Sequence, residues 1–256
     1  MSKVILSEIP TTPPEGLSKK ETKKETDVLA RAIADRQHLM YAENKKSLLI
    51  VFQGMDSSGK DGATRKVFKY CSPIAINAHA FKKPTDLEFA HDFLWRVHKL
   101  VPEKGSITIF NRSHYEDILI QRVHKWIDEE KVAQRMAAIN AFERLLVEDN
   151  DTTVLKFYMH LSKDRQKEKL QERIDDPRKN WKHNEGDWKE REHWDEYMKA
   201  YEDIFDKCSY VPWTIAPVDS RWYRDNFIAK KVLSVLNDME FNLPVIPPKV
   251  SVGNDS

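Results

Sequence analysis

Cysteine is scarce in this sequence, and long apolar runs are missing. The two cysteines, Cys71 and Cys208, lie far apart, which excludes a disulfide framework and a cysteine-rich zinc site and is typical of a reducing compartment. The nine histidines show no H-E-x-x-H or similar ligand spacing. No segment approaches the roughly 20 apolar residues of a membrane-spanning helix, and the N-terminal apolar stretch is too short for a signal peptide. We therefore expect a soluble, cytoplasmic protein.

An excess of charge of one sign is also lacking. The 42 lysines and arginines almost balance the 41 aspartates and glutamates, which leaves a formal net charge of +1. Because no global field attracts polyanions, we expect neither a nucleic acid nor a membrane as partner, and any site for a polyanion must be local. The 256 residues are enough for one α/β domain with a sizeable core.

Strand-like apolar segments alternate with helical patterns along most of the chain. The segments that predict strands are 47–53, 74–81, 106–110, 153–159 and 213–216. Periodic stripes and capping signals predict helices at 18–44, 60–71, 85–100, 113–149, from 162, 194–205 and 229–239. This alternation is typical of an α/β fold with a parallel sheet that helices cover on both faces.

Proline-containing segments without a helical or strand pattern lie at both ends. Residues 1–17 are predicted to form a flexible N-terminal arm, and residues 244–256 an extended C-terminal tail. Residues 18–243 are predicted to form a single domain between them.

A phosphate loop follows the first predicted strand. Residues 54–61 (GMDSSGKD) fit the pattern G-x-x-x-x-G-K, with aspartate where serine or threonine is usual. The glycines turn backbone N–H groups toward a phosphate, the next helix points its N-terminus at the same anion, and the lysine adds a mobile positive charge. The residues that we predict to bind phosphate here are Gly54, Ser57, Ser58, Gly59, Lys60 and Asp61.

Two carboxylates in this loop would repel a phosphate unless metal ions lay between them. Asp56 lies inside the loop and is the better candidate for a metal ligand. Asp61 could equally be an acid that interacts with the dipole at the start of the next helix. The loop therefore favours metal-dependent phosphate chemistry.

A second polar segment, residues 111–117 (NRSHYED), follows the predicted strand 106–110. The carboxyl end of a core strand is where an acid holds magnesium in P-loop proteins, and ligands bind in the same crevice. We predict Asp117 as a metal ligand, with Arg112 and Arg122 neutralising phosphate oxygens. By spacing alone, Asp117 and Arg122 could also be ordinary surface charges on one helix.

Several segments, in order along the chain, carry a resemblance to a known family. FQGMDSSGKDG, FNRSHYED, the DPRKNWK stretch with the GD and ERE after it, and the PW and RWYR segments resemble the polyphosphate kinase 2 family. The resemblance covers about residues 18–240, and NRSHYED is more diagnostic than the phosphate loop. Lys82 and Lys83 also stand before a Pro-Thr pair, where the family carries a lysine.

This resemblance implies a fold and an activity. The fold is a P-loop kinase-like three-layer α/β/α sandwich with a parallel sheet and a helical lid, here at about residues 175–205. Family members transfer phosphoryl groups between inorganic polyphosphate and nucleotides with Mg²⁺, or with Mn²⁺ as the alternative. The resemblance also implies a homo-oligomer, either a dimer or a tetramer.

Carried onto this chain, the resemblance implies two sets of site residues. The catalytic set is Asp56, Lys60, Arg112, Asp117 and Arg122, in which Asp56 and Asp117 bind the metal. The substrate-binding set is Gly54, Ser57, Ser58, Gly59, Lys60, Asp61, Lys82, Lys83, Asn111, Arg178, Lys179 and Lys182.

Other interpretations stay open. The acceptor could be ADP or GDP, giving ATP or GTP, or AMP, giving ADP. An ATP-dependent nucleotide kinase similar to thymidylate kinases is the alternative enzyme, and a non-catalytic polyphosphate-binding module is a third hypothesis. Trp181 and Trp188 are expected in the core of the lid rather than stacked on a nucleobase. Trp222, Tyr223 and Arg224 match the family's C-terminal motif and could anchor the last helix.

Overall fold

A five-stranded sheet lies at the centre of the protein, whose computed structural model describes residues 4–243. The strands are β1 (Ser47–Gln53), β2 (Ile76–Ala80), β3 (Ile107–Asn111), β4 (Thr152–His160) and β5 (Trp213–Pro217). They lie side by side in the order β2-β3-β1-β4-β5, and every neighbouring pair is parallel. The predicted parallel sheet is therefore confirmed.

Helices fill the connections between these strands. They are α1 (Lys19–Glu43), α2 (Lys60–Val67), α3 (Asp86–Phe89), α4 (Trp95–His98), α5 (Glu116–Val123), α6 (Glu129–Glu148), α7 (Lys163–Asp175), α8 (Glu185–Glu192), α9 (Trp194–Lys207) and α10 (Arg221–Asp238). Across residues 4–243, none of these helices combines the length and the apolar character that crossing a membrane requires.

The central strand β1 is buried on both faces of the sheet. All seven of its residues are buried, and alternate side chains enter different apolar clusters. Leu49 and Val51 pack in the cluster formed with α5, α6 and α9, whereas Leu48 and Ile50 pack in the cluster formed with α1, α2 and α10. Because a strand points successive side chains to opposite faces, a continuous apolar run requires cover on both sides. The three-layer α/β/α sandwich is confirmed.

Three helix starts follow the signals in the sequence. The hydroxyls of Ser18 and Ser162 each accept a hydrogen bond from the backbone N–H three residues later, at 3.4 and 3.2 Å. At Thr85 the full capping box forms, because Glu88 N–H donates to Thr85 Oγ1 at 3.3 Å and the Glu88 carboxylate accepts from Thr85 N–H at 2.8 Å.

The predicted helix 113–149 is two helices, α5 and α6. Lys125 interrupts it in the left-handed conformation, with φ of 56°. Asp128 then caps α6 by accepting a hydrogen bond from the backbone N–H of Lys131 at 2.7 Å. Local turn and cap chemistry therefore outweighs a helical pattern that is continuous in the sequence.

The predicted helix 85–100 is also divided, into α3 and α4. The Asp92 side chain accepts a hydrogen bond from the backbone N–H of Leu94 at 3.0 Å, and such local bonds compete with a helical backbone. Two smaller differences concern element ends: α2 stops at Val67 rather than 71, and β2 begins after a short 3₁₀ turn at Pro73–Ala75.

The N-terminal arm is attached to the domain, contrary to the flexible segment that we expected. Leu6 is 2% exposed and packs in the cluster beside α9, and its backbone N–H donates to Glu202 at 2.8 Å. Thr11 Oγ1 donates to Asp219 at 2.8 Å. Apolar packing of Val4 and Leu6 and these polar bonds hold the arm, although it has little regular structure. The predicted C-terminal tail, 244–256, lies outside the described residues.

Candidate phosphate-binding active site

A cleft of about 850 Å³ opens at the carboxyl ends of β1 and β3, where the phosphate loop joins β1 to α2. Eleven lysine and arginine side chains line it against four carboxylates, although the whole chain has a net charge of only +1. The basic residues are Lys60, Arg65, Lys66, Lys69, Arg112, Lys169, Arg173, Lys179, Lys182, Arg221 and Arg224. The fold therefore gathers a local excess of positive charge out of a nearly neutral sequence.

The phosphate loop requires glycine at two positions, at Gly54 because the backbone of β4 approaches closely and at Gly59 because of its left-handed conformation. A Cβ on Gly54 would lie 2.9 Å from the carbonyl oxygen of Met159 on β4. Gly59 has φ of 93°, and its Cβ would lie 2.1 Å from Nη1 of Arg224 on α10. Between them, Ser57 has φ of 65°, and its buried hydroxyl has no hydrogen-bond partner among residues 4–243. This unpaired hydroxyl fits a loop that offers its polar groups to an anion.

Lys60 is the first residue of α2 and folds back over the loop. Its Nζ donates to the carbonyl oxygens of Gly54 and Met55 at 2.8 and 3.2 Å and to Ser58 Oγ at 3.3 Å. Burial, and then the charge of Arg112, lowers the pKa of the Lys60 ammonium to about 8. At neutral pH Lys60 is therefore a cation, poised close to its pKa, at the mouth of the loop.

Arg112 and two carboxylates form a charged group beside Lys60. Arg112 Nη2 donates to Asp56 Oδ1, and Arg112 Nη1 lies 3.7 Å from Glu116 Oε2. Burial by itself would raise the pKa of the Asp56 carboxyl, but Arg112 and Lys60 outweigh it and hold that pKa below its ordinary value. The charge of Glu116 raises the pKa of Arg112 more than burial lowers it. Asp56 and Arg112 therefore both carry charge at neutral pH.

Asn111 ends β3 and occupies the crevice at the carboxyl end of that strand. Its Oδ1 accepts a hydrogen bond from Thr64 Oγ1 at 3.2 Å, and its Nδ2 donates to Asp61 Oδ1 at 3.2 Å. These bonds connect β3 to α2, and both Asn111 and Asp61 line the cleft. Asn111, which we predicted among the substrate-binding residues, therefore lies in the cleft at the carboxyl end of β3.

Asp117 lies outside the cleft, and its surroundings do not fit the metal role that we expected. Its side chain is 5% exposed, and Oδ2 accepts a hydrogen bond from Arg96 Nη2 at 3.0 Å. Burial raises the pKa of this carboxyl, against the attraction of Arg96. Consecutive residues of a helix point about 100° apart. Glu116 therefore faces the phosphate loop, where it accepts from Gln53, and Asp117 faces α4.

Arg122 also lies outside the cleft, contrary to the expected place on the phosphoryl path. Its guanidinium donates to Glu129 and Asp203, so it connects α5 to α6 and α9. Its direction follows from its position near the end of α5, away from the loop. Lys82 and Lys83 are exposed just after β2 and are not among the residues that line the cleft.

The predicted lid, 175–205, brings only part of its positive charge to the cleft. Lys179 and Lys182 line the cleft near the start of this segment. Arg178 does not line it, and its guanidinium is instead paired with Asp176 at 3.0 Å.

Helix α9 forms the second half of the predicted lid but belongs to the core. One side of it is buried and packs in the apolar cluster with α5 and α6, and its aromatic residues lie on that side. Trp181 is 78% exposed, so the lid-core interpretation is wrong for this residue, whereas Trp188 is half-buried. Of the predicted lid, 175–205, Lys179 and Lys182 line the cleft, whereas α9 packs in the core.

Sequence reasoning missed several residues of the cleft. Lys169 and Arg173 on α7 and Arg221 on α10 line it, and Glu116 faces its loop. Lys169 and Arg173 are four residues apart and share one face of α7, which is a signal that spacing alone could have revealed. Which neighbour that face meets is decided only by how α7 packs.

The carboxylates of the cleft fit a magnesium ion bound together with phosphate. Asp56 and Asp61 both line the cleft. Within the described part of the chain, no group of three or more His, Cys, Asp or Glu side chains could hold a metal by itself. Mg²⁺ is usually bound by one or two carboxylates plus substrate phosphates and water, so two carboxylates beside a phosphate loop are a suitable donor set.

Comparison with known proteins finds relatives over nearly the whole chain. A family model described as Polyphosphate kinase 2 (PPK2) matches residues 16–244. The AMP/ADP-polyphosphate phosphotransferase of Meiothermus ruber is 42% identical over 219 residues, 85% of this chain and 82% of the relative. The ADP-polyphosphate phosphotransferase of Rhodopseudomonas palustris is 36% identical over 84% of this chain and 79% of the relative. The crystal structure of polyphosphate kinase 2 from Arthrobacter aurescens TC1 has a TM-score of 0.92 at 37% identity, covering 96% of this chain and 89% of that one.

Proposed function

Because this chain belongs to the polyphosphate kinase 2 family, we propose that it transfers phosphoryl groups between inorganic polyphosphate and the nucleotides AMP and ADP. The observation that carries the proposal is the charge of the cleft, where eleven basic side chains surround a phosphate loop against four acidic ones. A polyphosphate is charged along its whole length, so it requires basic side chains well beyond the loop. The named activities of the M. ruber and R. palustris relatives support AMP and ADP as the acceptors.

The transfer requires neither a covalent enzyme intermediate nor a general base. An ionised oxygen of the terminal phosphate of the nucleotide attacks the terminal phosphorus of polyphosphate. The bond from that phosphorus to the next bridging oxygen breaks, and the shortened chain leaves with the bonding electrons. AMP becomes ADP, ADP becomes ATP, and the reaction is reversible. Alignment and charge neutralisation are then what the protein has to supply.

The residues of the cleft are arranged to neutralise this charge. Lys60 and Arg112 are cations beside the phosphate loop, and the backbone N–H groups at the start of α2 point toward the same place. Lys179 and Lys182 lie on the segment that covers the cleft, where they can hold the donor and help to exclude water.

We propose Mg²⁺ as the metal, with Mn²⁺ as the alternative, and Asp56 and Asp61 as the residues that would hold it. Asp56 is ionised at neutral pH because Arg112 and Lys60 lower its pKa against burial. When bound, the ion supplies further positive charge for the phosphate oxygens in the transition state.

A screen of donors and acceptors tests the proposed reaction. The purified protein is incubated with Mg²⁺, polyphosphate and AMP, ADP, GMP or GDP, and the products are separated by chromatography. We expect ADP from AMP and ATP from ADP, and no product from a Lys60→Met variant. If ATP supports transfer and polyphosphate cannot replace it, the protein is instead an ATP-dependent nucleotide kinase. If polyphosphate binds but neither donor yields product, the protein is a binding module.

We also propose that the protein assembles as a homo-oligomer, a dimer or a tetramer, as the family resemblance implies. Light scattering coupled to size-exclusion chromatography measures the mass directly. A mass of about 30 kDa, equal to the 30.1 kDa of one chain, would contradict this assembly.

A further inference from the structure

Gln166 on α7 is a buried amide that contacts two separate parts of the molecule. The residue is only 1% exposed. Its Nε2 donates a hydrogen bond to the backbone carbonyl oxygen of Asp56 in the phosphate loop at 3.2 Å, and its Oε1 accepts one from Nη1 of Arg191 on α8 at 2.9 Å. A guanidinium only donates and a carbonyl oxygen only accepts, so these two neighbours fix which way the amide points.

The bond to Asp56 sets the direction of one peptide of the phosphate loop. The Asp56–Ser57 peptide is trans and planar, so its carbonyl oxygen and the N–H of Ser57 point in opposite directions. Because Gln166 holds the carbonyl toward α7, the N–H points away from α7. Within residues 4–243 this N–H donates to no backbone carbonyl, and Ser57 lines the cleft. The peptide therefore leaves its N–H available to a bound anion.

The backbone of Ser57 has a conformation that requires support from its surroundings. Its φ of 65° lies in the left-handed region, which is unfavourable for a residue with a side chain. Such conformations persist where neighbouring structure holds them. The hydrogen bond from Gln166 comes from outside the loop, so it can hold this peptide without occupying an N–H group.

Arg191 connects the amide to α8 and to the segment before it. The same Nη1 also donates to the backbone carbonyl oxygen of Lys163 at 2.6 Å, which fixes α8 against the start of α7. Residues 176–184 run between α7 and α8 and carry Lys179 and Lys182, which line the cleft. A shift of α8 that moves Arg191 away therefore also releases the amide that orients the loop.

We propose that Gln166 is a positioning residue that couples α8 to the phosphate loop. When Arg191 holds the amide, Gln166 holds the Asp56–Ser57 peptide with its N–H free for phosphate. The guanidinium also polarises the amide, which strengthens the hydrogen bond that Nε2 donates. This inference rests on the proposed function, since it concerns the loop that binds phosphate in that reaction. Gln166 is not among the residues that line the cleft, so its effect passes through the loop.

A double-mutant cycle tests the coupling. Gln166→Met keeps the length of the side chain and removes both hydrogen bonds, whereas Arg191→Met removes the bond on the α8 side. Gln171→Met is the matched control, because this amide lies on the same helix and donates to Asp175 on the exposed surface. For each variant we measure binding of inorganic triphosphate by calorimetry without nucleotide, kcat with ADP and polyphosphate, and unfolding in urea.

The two single variants should differ in size but not in kind. Gln166→Met should weaken triphosphate binding about tenfold and lower kcat about tenfold, because the loop loses the bond that orients its peptide. Arg191→Met should have effects of about threefold, because the amide keeps its partner in the loop but loses its fixed orientation. The double variant should be no worse than Gln166→Met, and the control should match the wild type. Effects that multiply in the double variant would contradict the coupling.

The remaining outcomes separate this role from packing and from the proposed reaction. If Gln166→Met unfolds at lower urea but binds triphosphate and turns over like the wild type, Gln166 only packs the core and the inference is wrong, while the reaction stands. If the wild type binds triphosphate in a Gln166-dependent manner but transfers nothing, the positioning role stands and the proposed reaction fails. If Gln166→Met does not fold, Arg191→Met decides alone, and unchanged triphosphate binding in it contradicts the inference.

Discussion

Replacing Asp117 by asparagine keeps the shape of the side chain and removes the charge that faces Arg96. Both residues are buried, with side-chain exposures of 5% for Asp117 and 8% for Arg96. Asparagine can still accept the hydrogen bond from Arg96 through its amide oxygen, but the guanidinium loses its carboxylate. The substitution therefore distinguishes a structural ion pair from a metal ligand. Loss of a structural ion pair should lower the free energy of unfolding and leave kcat nearly unchanged, whereas loss of a metal ligand should lower kcat and leave the free energy of unfolding nearly unchanged.

The size of the stability loss follows from these contacts. Breaking a buried ion pair by removing one partner costs about 3–5 kcal/mol. Here Arg96 keeps a second acceptor, the carbonyl oxygen of Lys82 at 2.9 Å, and burial of the Asp117 carboxylate is itself unfavourable, as its raised pKa shows. We therefore expect Asp117→Asn to lower the free energy of unfolding by about 2 kcal/mol, close to the value of one charge-assisted hydrogen bond. We expect kcat to change less than threefold, by about 0.6 kcal/mol or less in activation free energy.

The assay combines urea unfolding, followed by tryptophan fluorescence, with phosphoryl-transfer kinetics at saturating substrates. Glu116→Gln is the matched control, because Glu116 lies one residue away but faces Arg112. This variant should keep its stability within about 1 kcal/mol, and its kcat should fall about tenfold because Arg112 loses an orienting carboxylate. A fall of about a hundredfold or more in kcat for Asp117→Asn, with unchanged unfolding, would refute our reasoning and restore Asp117 as a metal ligand.

The pH dependence offers a second check on the same residue. The pKa of Asp117 in the folded protein lies above the ordinary value of 3.8. The unfolded carboxyl therefore loses its proton first as pH rises, and the folded state loses stability between the two pKa values. Asp117→Asn should lack this part of the pH dependence of unfolding, and an identical profile for both proteins would contradict the raised pKa.

Three further predictions concern the phosphate loop and its metal. Lys60 must be a cation to bind phosphate, and its pKa is about 8 in the free protein, so kcat/KM should fall as pH rises through about 8. Bound phosphate favours the ammonium, so kcat should fall only at a higher pH. Identical pH profiles of kcat/KM and kcat would contradict this prediction. Removing metal with EDTA should abolish transfer, measured by chromatography of the nucleotide products, and added Mg²⁺ or Mn²⁺ should restore it. Full activity in EDTA would exclude the metal. Gly59→Ala should lower the free energy of unfolding by about 1–2 kcal/mol, because φ there is 93° and the new Cβ would displace Arg224, and should raise the KM for polyphosphate; a melting curve and KM equal to those of the wild type would argue against this contact.

Local patterns in the sequence were enough to predict the layers of the fold. The apolar run of β1, the loop pattern after it and the capping signals at Ser18, Thr85 and Ser162 all depend on neighbours within a few residues. Such signals act at short range, so they survive without knowledge of the tertiary structure. They failed where another local bond competed, as at Lys125 and Asp92, which interrupt long helical patterns.

The sequence by itself determined that a phosphate loop follows a buried strand. It also determined that the nearly neutral chain can bind a polyanion only at a local cluster of positive charge. Tertiary structure alone decided which charges form that site. Asp117 and Glu116 are adjacent in the chain, yet one faces Arg96 and the other Arg112, because the rotation of α5 against its neighbours assigns their directions. Gln166 likewise became a candidate for a positioning role only when α7 met the phosphate loop and α8, since contacts between distant segments have no local signal.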